Sequence, residues 1–137
     1  MALDFETLAN MLSDAERAGG KALTELLDLA PSADLRELLR KVAHDEGYWA
    51  RELSAAVRRC GGTPSSAIND FAEKVRAVPD LPGKLALLNR GQRWVVRKIE
   101  ENVDAVEDAS ARGLLRAMAA AHVANIEMVD RAIASPA

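Results

Sequence analysis

Four long stretches of this chain place apolar side chains every three or four residues, the spacing that lays a single apolar stripe along a helix. A helix with one such stripe must bury it against other helices, so the pattern restricts the chain to an all-α packing. Each stripe is broken near its middle by a polar group: Glu16 on the first, Glu46 on the second, Gln92 on the third, and His122 with Asn125 on the fourth. A carboxylate or imidazole inside an apolar core is costly unless it is paired, hydrogen-bonded or metal-bound. Four helices that each turn such a group inward are the arrangement that helix bundles use for metal and cofactor sites.

The first helix is expected from about Asp4 to Leu29, ending before Pro31, with Glu16 at the edge of its stripe. Gly19-Gly20 in mid-helix costs about 1 kcal/mol per glycine relative to Ala, which a close approach of another helix or a ligand beside Glu16, or equally a local kink, would explain. Ser32 reads as the N-cap of the second helix and Gly61-Gly62 as its stop. Glu46 falls at the centre of that helix's stripe, between Leu39 and Leu53, whereas His44 faces the opposite, solvent side. A shorter helix over 66–78, with a seam of Ile68, Phe71, Val75 and Val78, is closed by Pro79 and Pro82. It lies in a crossover long enough to return along the molecule, so the second and third helices can run parallel, and it is placed to cover Trp94.

The third helix is expected from Gly83 to Val106, with Gln92 inside its apolar arc and Glu100 on the edge. The fourth runs from Ser110 to Ser135-Pro136, its inner face carrying Leu114, Met118, His122, Asn125 and Val129. Arg93 and Arg97 are spaced for helical ion pairs with Glu100 and Glu101; the alternative is that Arg93 reaches inward to a core carboxylate. Cys60 is alone and reads as a packed or idle thiol.

With 137 residues the chain is read as one domain, 1–137. A net charge of −3 with both signs interspersed argues against nucleic-acid or anionic-membrane partners. The acidic MALDFETLAN start, without a signal-peptide core, makes the cytoplasm the expected location.

The inward carboxylates, the crossover and the strings AERAG (15–19), HDEGYW (44–49), GGTPS (61–65), LNRGQRWVVRK (88–98) and HVANI (122–126) resemble the ferritin-like superfamily. The likeness is to its rubrerythrin branch, and within it to a bacterial family without an assigned activity. The resemblance implies a ferritin-like four-helix bundle with a short extra helix in the crossover between the second and third helices. It also implies a di-iron ligand set of one Glu from each of two helices and Glu-x-x-His from each of the other two. Here Glu16, Glu46 and His122 match, with Glu100 or Gln92 on the third helix. Trp49 stands where a histidine belongs, and Ala119 replaces a carboxylate. Too few anionic ligands remain for two irons, so a full di-iron centre is not expected.

Three readings follow. The favoured one is a non-catalytic structural or interaction protein in which Glu16, Glu46 and His122 form a buried network satisfied by Gln92 and Asn125. The alternative is a single divalent metal, Fe, Mn or Zn, held by Glu16, Glu46 and His122, with or without oxidoreductase activity. The further alternative is a metal-free acid–base enzyme using Glu46 and His122, its pocket lined by Gln92, Asn125 and Trp49. The partners left open are a second copy of the chain and a small molecule in the bundle core.

Overall fold

The computed structural model describes residues 2–135, and those residues contain helices and no strand. The helices are α1 (Phe5–Leu27), α2 (Ala33–Arg59), α3 (Phe71–Ala77), α4 (Leu81–Asn102) and α5 (Ala109–Ala134), with a 3₁₀ turn at Val103–Ala105. None is long and apolar enough to cross a membrane. Each long helix starts on an acidic or hydroxyl side chain that accepts an otherwise orphaned N–H of the first turn. Asp4 accepts from Thr7, Ser32 from Leu35, Asp80 from Gly83 and Asp108 from Ala111. At the end of α2, Gly61 takes φ +82°, and Gly62 N–H donates to Val57 O at 2.9 Å. That six-residue closure needs a left-handed residue, which glycine supplies without strain.

Two apolar clusters fill the interior. One gathers Leu8 and Leu12 from the start of α1, Leu53 and Val57 from the end of α2, Ile99 from the end of α4, and Leu115 and Met118 from the start of α5. The other gathers Leu23 and Leu26, Leu39 and Val42, Leu85 and Leu88, and Val129 from the opposite ends. The ends of α2 and α4 therefore share one cluster and their starts the other, so these two helices run in the same direction, as the crossover length allows. Between the clusters, at the same level on every long helix, lie the buried polar residues Glu16, Glu46, Asn89, Gln92, His122 and Asn125.

Three expectations need correction. The crossover helix begins at Phe71 rather than at 66, and Ile68 is exposed rather than part of a seam. Polar side chains of α1 take up the backbone of the preceding segment instead. Asn10 Nδ2 donates to Thr63 O at 3.0 Å, Ser65 N–H donates to Asn10 Oδ1 at 2.9 Å, and Arg17 Nε donates to Ala67 O at 3.1 Å. Pro82 does not close the crossover but sits in the first turn of α4, where its missing N–H has no helical partner to lose. At the start of α5 the buried position is Leu115, with Leu114 only half-buried. Pro136, half of the expected stop of the last helix, lies outside the described residues.

Leu53 is fully buried in the first cluster. Leu53→Ala should lower the unfolding free energy by about 2–5 kcal/mol in denaturant titration, through lost transfer energy and the cavity left behind. Ser32→Ala, which only removes a cap, should cost about 1 kcal/mol. Equal effects of the two would contradict this distribution of packing.

Candidate metal site

Glu16 on α1, Glu46 on α2 and His122 on α5 converge between the two apolar clusters, each no more than 3% exposed. One ligand atom from each lies within 4.8 Å of the others. Of the two explanations for Gly19-Gly20, the structure shows the close approach: a Cβ on Gly19 would stand 2.8 Å from Glu46 Oε1. The approaching group is thus the α2 carboxylate itself.

The histidine's protonation follows from its neighbours. His122 Nδ1 lies 3.0 Å from Met118 O, a backbone carbonyl that can only accept, so Nδ1 is the N–H. Nε2 is left facing Glu16 Oε1 at 2.9 Å and Glu46 Oε2 at 3.8 Å. The shorter separation is within hydrogen-bonding range, yet Glu16 Oε1, Glu46 Oε2 and His122 Nε2 have no hydrogen-bond partner of acceptable geometry. Three buried lone-pair atoms that face one another without hydrogens between them need a proton or a cation in their midst.

The two carboxyls respond to this setting. Burial pushes the Glu16 carboxyl up to about 7, opposed by the hydrogen that a protonated Glu46 can offer it and assisted by the charge of Asp45. Burial, and then the charge of Glu16, push Glu46 well above the ordinary carboxylate range, while His122 opposes the rise. Two carboxyls so close share protons when no other positive charge is present.

The surrounding residues depart from the sequence reading. Asn125 is buried but serves α2 instead of the carboxylates: its Oδ1 accepts from Lys41 Nζ at 2.8 Å, and its Nδ2 donates to Asp45 at 2.9 Å. Burial favours the protonated form of Asp45, but the Asn125 and Lys41 hydrogen bonds outweigh it and hold the carboxyl below its usual range. Gln92 is the inward group of α4, and Glu100 is exposed, which removes it as a ligand. Arg93 pairs with Asp130 across the α4–α5 seam, neither with its own helix nor with the core carboxylates. His44 is exposed, as expected.

Asn89, fully buried beside Gln92, was not anticipated. Its spacing, three residues before Gln92 on one helix, is the signal that could have pointed to it. Trp49 packs in the first apolar cluster and lines none of the principal cavities. A cavity of about 460 Å³ opens instead beside Trp94 and Phe71, with Glu16, Gly19, Glu46 and Gln92 among its lining residues. Trp94, which is half-buried, and Phe71 of the crossover helix line this cavity together. The cavity is an access path from the surface to the carboxylates.

Residues 5–131 match the family model of a domain of unknown function, DUF6306, so the chain belongs to that family. No curated protein and no solved structure matches it.

Both carboxyls bind protons more tightly folded than unfolded, so the metal-free folded state holds extra protons above about pH 4.5, the one on Glu16 up to about pH 7. Unfolding free energy should therefore fall as pH rises through that window, with Glu16 alone accounting for a loss on the order of 3 kcal/mol. Glu46→Gln should flatten the profile and raise the melting temperature at pH 8, measured in chelator. A wild-type profile that is flat from pH 4.5 to 8 would contradict the buried, proton-sharing pair.

Proposed function

We propose that this DUF6306 chain is a ferritin-like four-helix bundle that binds one divalent metal ion through Glu16, Glu46 and His122. The observation that carries this reading is the set of partnerless atoms, Glu16 Oε1, Glu46 Oε2 and His122 Nε2, gathered in the buried interior. Two carboxylates offset the charge of one dication. Anchoring Nδ1 on a backbone carbonyl leaves Nε2 with its lone pair toward the site, the usual second-shell device for a metal-binding imidazole. Two oxygens and one nitrogen suit Fe(II), Mn(II) or Zn(II). A bound ion supplies Lewis-acid character to whatever enters from the cavity.

A metal-free network is less well supported. It required Gln92 and Asn125 to turn their amide hydrogens toward the carboxylates, and both amides donate elsewhere. A second ion is disfavoured because the position that a histidine would fill is Trp49, which packs among Leu53 and other apolar residues. Ala119 offers no donor either. The cavity supports a small molecule as the partner of the site, entering beside Trp94 instead of Trp49.

Protein purified without a poly-histidine tag and titrated with Fe(II), Mn(II) or Zn(II) should bind one equivalent, measured by elemental analysis. Saturation at a hundredfold excess over Kd should raise unfolding free energy by about 2.7 kcal/mol. His122→Ala and Glu46→Gln should each lose the bound ion and the thermal shift. Retention of a full equivalent by both variants would overturn the assignment.

A further inference from the structure

The fourth partnerless buried atom in this region is Gln92 Oε1. Its presence there is not an arbitrary choice between the two ends of an amide. Asn89 Nδ2 donates to Ile126 O at 3.0 Å and to Asp130 Oδ1 at 2.8 Å. A main-chain carbonyl and a carboxylate both only accept, so the nitrogen end of Asn89 is fixed on that side. Asn89 Oδ1 must then face Gln92, and Gln92 answers with its nitrogen at 2.8 Å. The remaining end of Gln92 is necessarily the oxygen. Asp130 is itself held from outside by Arg93. The polarity of the core amide is thus dictated, through two side chains, by a backbone carbonyl of α5 and an ion pair at the surface.

This relay leaves an unpaired acceptor in a layer already rich in acceptors. Gln92 lines the same cavity as Glu16 and Glu46, is 3% exposed, and has no donor for its oxygen. Orphaning a buried amide oxygen costs about 1–3 kcal/mol unless something positive or hydrogen-bearing meets it. Nothing on the neighbouring side chains does so. A cation, a water molecule on that cation, or a water in the cavity would, and the cation is the occupant that the adjacent carboxylates and imidazole also call for.

We propose that Gln92 Oε1 is the fourth protein donor of the ion site, directly or through one ion-bound water. Asn89, Asp130 and Arg93 act as the positioning residues that hold the amide in this sense. The inference rests on the metal reading above and adds a chemical class to it. Three oxygens and one imidazole nitrogen make a predominantly hard donor set, which suits Mn(II) or Fe(II) better than the nitrogen- and sulfur-rich sites typical of Zn(II). The amide contributes a donor without a third negative charge, so one dication and two carboxylates remain balanced.

The test is Mn(II) binding, read from loss of the free-ion electron paramagnetic resonance signal, alongside Zn(II) binding by calorimetry. Gln92→Leu should weaken Mn(II) binding by about tenfold, the lower end of the range seen when a supporting shell is removed. Gln92→Glu, which restores an oxygen, should bind Mn(II) at least as tightly as wild type. Gln92→His should move the Zn(II)/Mn(II) affinity ratio toward zinc. Asn89→Ala should weaken Mn(II) less than Gln92→Leu, since a released amide presents its oxygen only part of the time. Should Gln92→Leu fold poorly, the Gln92→Glu and Gln92→His pair still decides the matter. Wild-type Mn(II) affinity in Gln92→Leu, or an unchanged metal preference in Gln92→His, overturns the inference while leaving the three-ligand site intact. Absence of binding to wild type overturns both.

Discussion

The constraint on which this molecule depends is the burial of two carboxylates and an imidazole at one level of a helical interior. Removing an ionised carboxylate from water costs several kcal/mol even after the protein relaxes around it. The chain concentrates that cost in a single layer, with apolar clusters above and below it. Each long helix contributes a polar residue to the layer, so a shift of any helix by one turn would place a charged or amide group against leucines. The same residues that form the candidate site therefore also select helix register. Stability lost in the layer is recovered from the apolar halves, where Leu12, Leu39, Leu53 and Leu115 are fully buried.

The layer is not uniform. On the α2–α5 side, Asn125, Lys41 and Asp45 satisfy one another and reach solvent through a lysine. On the α4–α5 side, Asn89, Asp130 and Arg93 do the same through an arginine. Both margins end in an ion pair that carries charge out to water, where it is inexpensive. Among the described residues, the unpartnered buried side-chain atoms are those of Glu16, Glu46 and His122, which converge, and of Gln92, which lines the same cavity as the two carboxylates. A purely structural polar layer would be expected to close its centre as well as its margins. The contrast between satisfied edges and an unsatisfied middle is what favours the proposed ion site over a structural spacer.

Much of this was legible in the chain. Periodicity places Glu46 and His122 inward because each sits mid-stripe between leucines or a methionine, and burial of apolar surface leaves such a residue no other direction. Gln92 over Glu100 was a question of angle: Glu100 lies eight residues on, which turns it about 80° around the helix and out of the interior. Partners were less accessible. Asn125 is three residues from His122, and the resulting offset of about 60° was enough to hand it to Lys41 and Asp45 instead of the carboxylates. Arg93 was drawn to Asp130 on a neighbouring helix, a contact that no spacing within α4 encodes. The crossover misled for a related reason. Residues 63–67 have their backbone hydrogen bonds taken by Asn10 and Arg17, and local preference cannot foresee side chains from a segment about 50 residues away.

Charge balance narrows the proposed chemistry further than geometry alone. Two protonated carboxyls would make the centre neutral, as would two ionised carboxylates around one dication, and these two neutral states compete. The first is favoured by the raised proton affinity of Glu16 and Glu46 and by the imidazole nitrogen 2.9 Å from Glu16, which can accept a proton held there; the second is favoured by the amide oxygen of Gln92, which has no donor among the neighbouring side chains. Because the ion must displace those protons, its apparent affinity rises with pH across the range in which the metal-free protein loses stability. The energy released on binding is thus partly energy that the fold has stored by holding two carboxyls out of water. A site built in this way is weakest when empty and unprotonated, which couples occupancy to stability without any moving part.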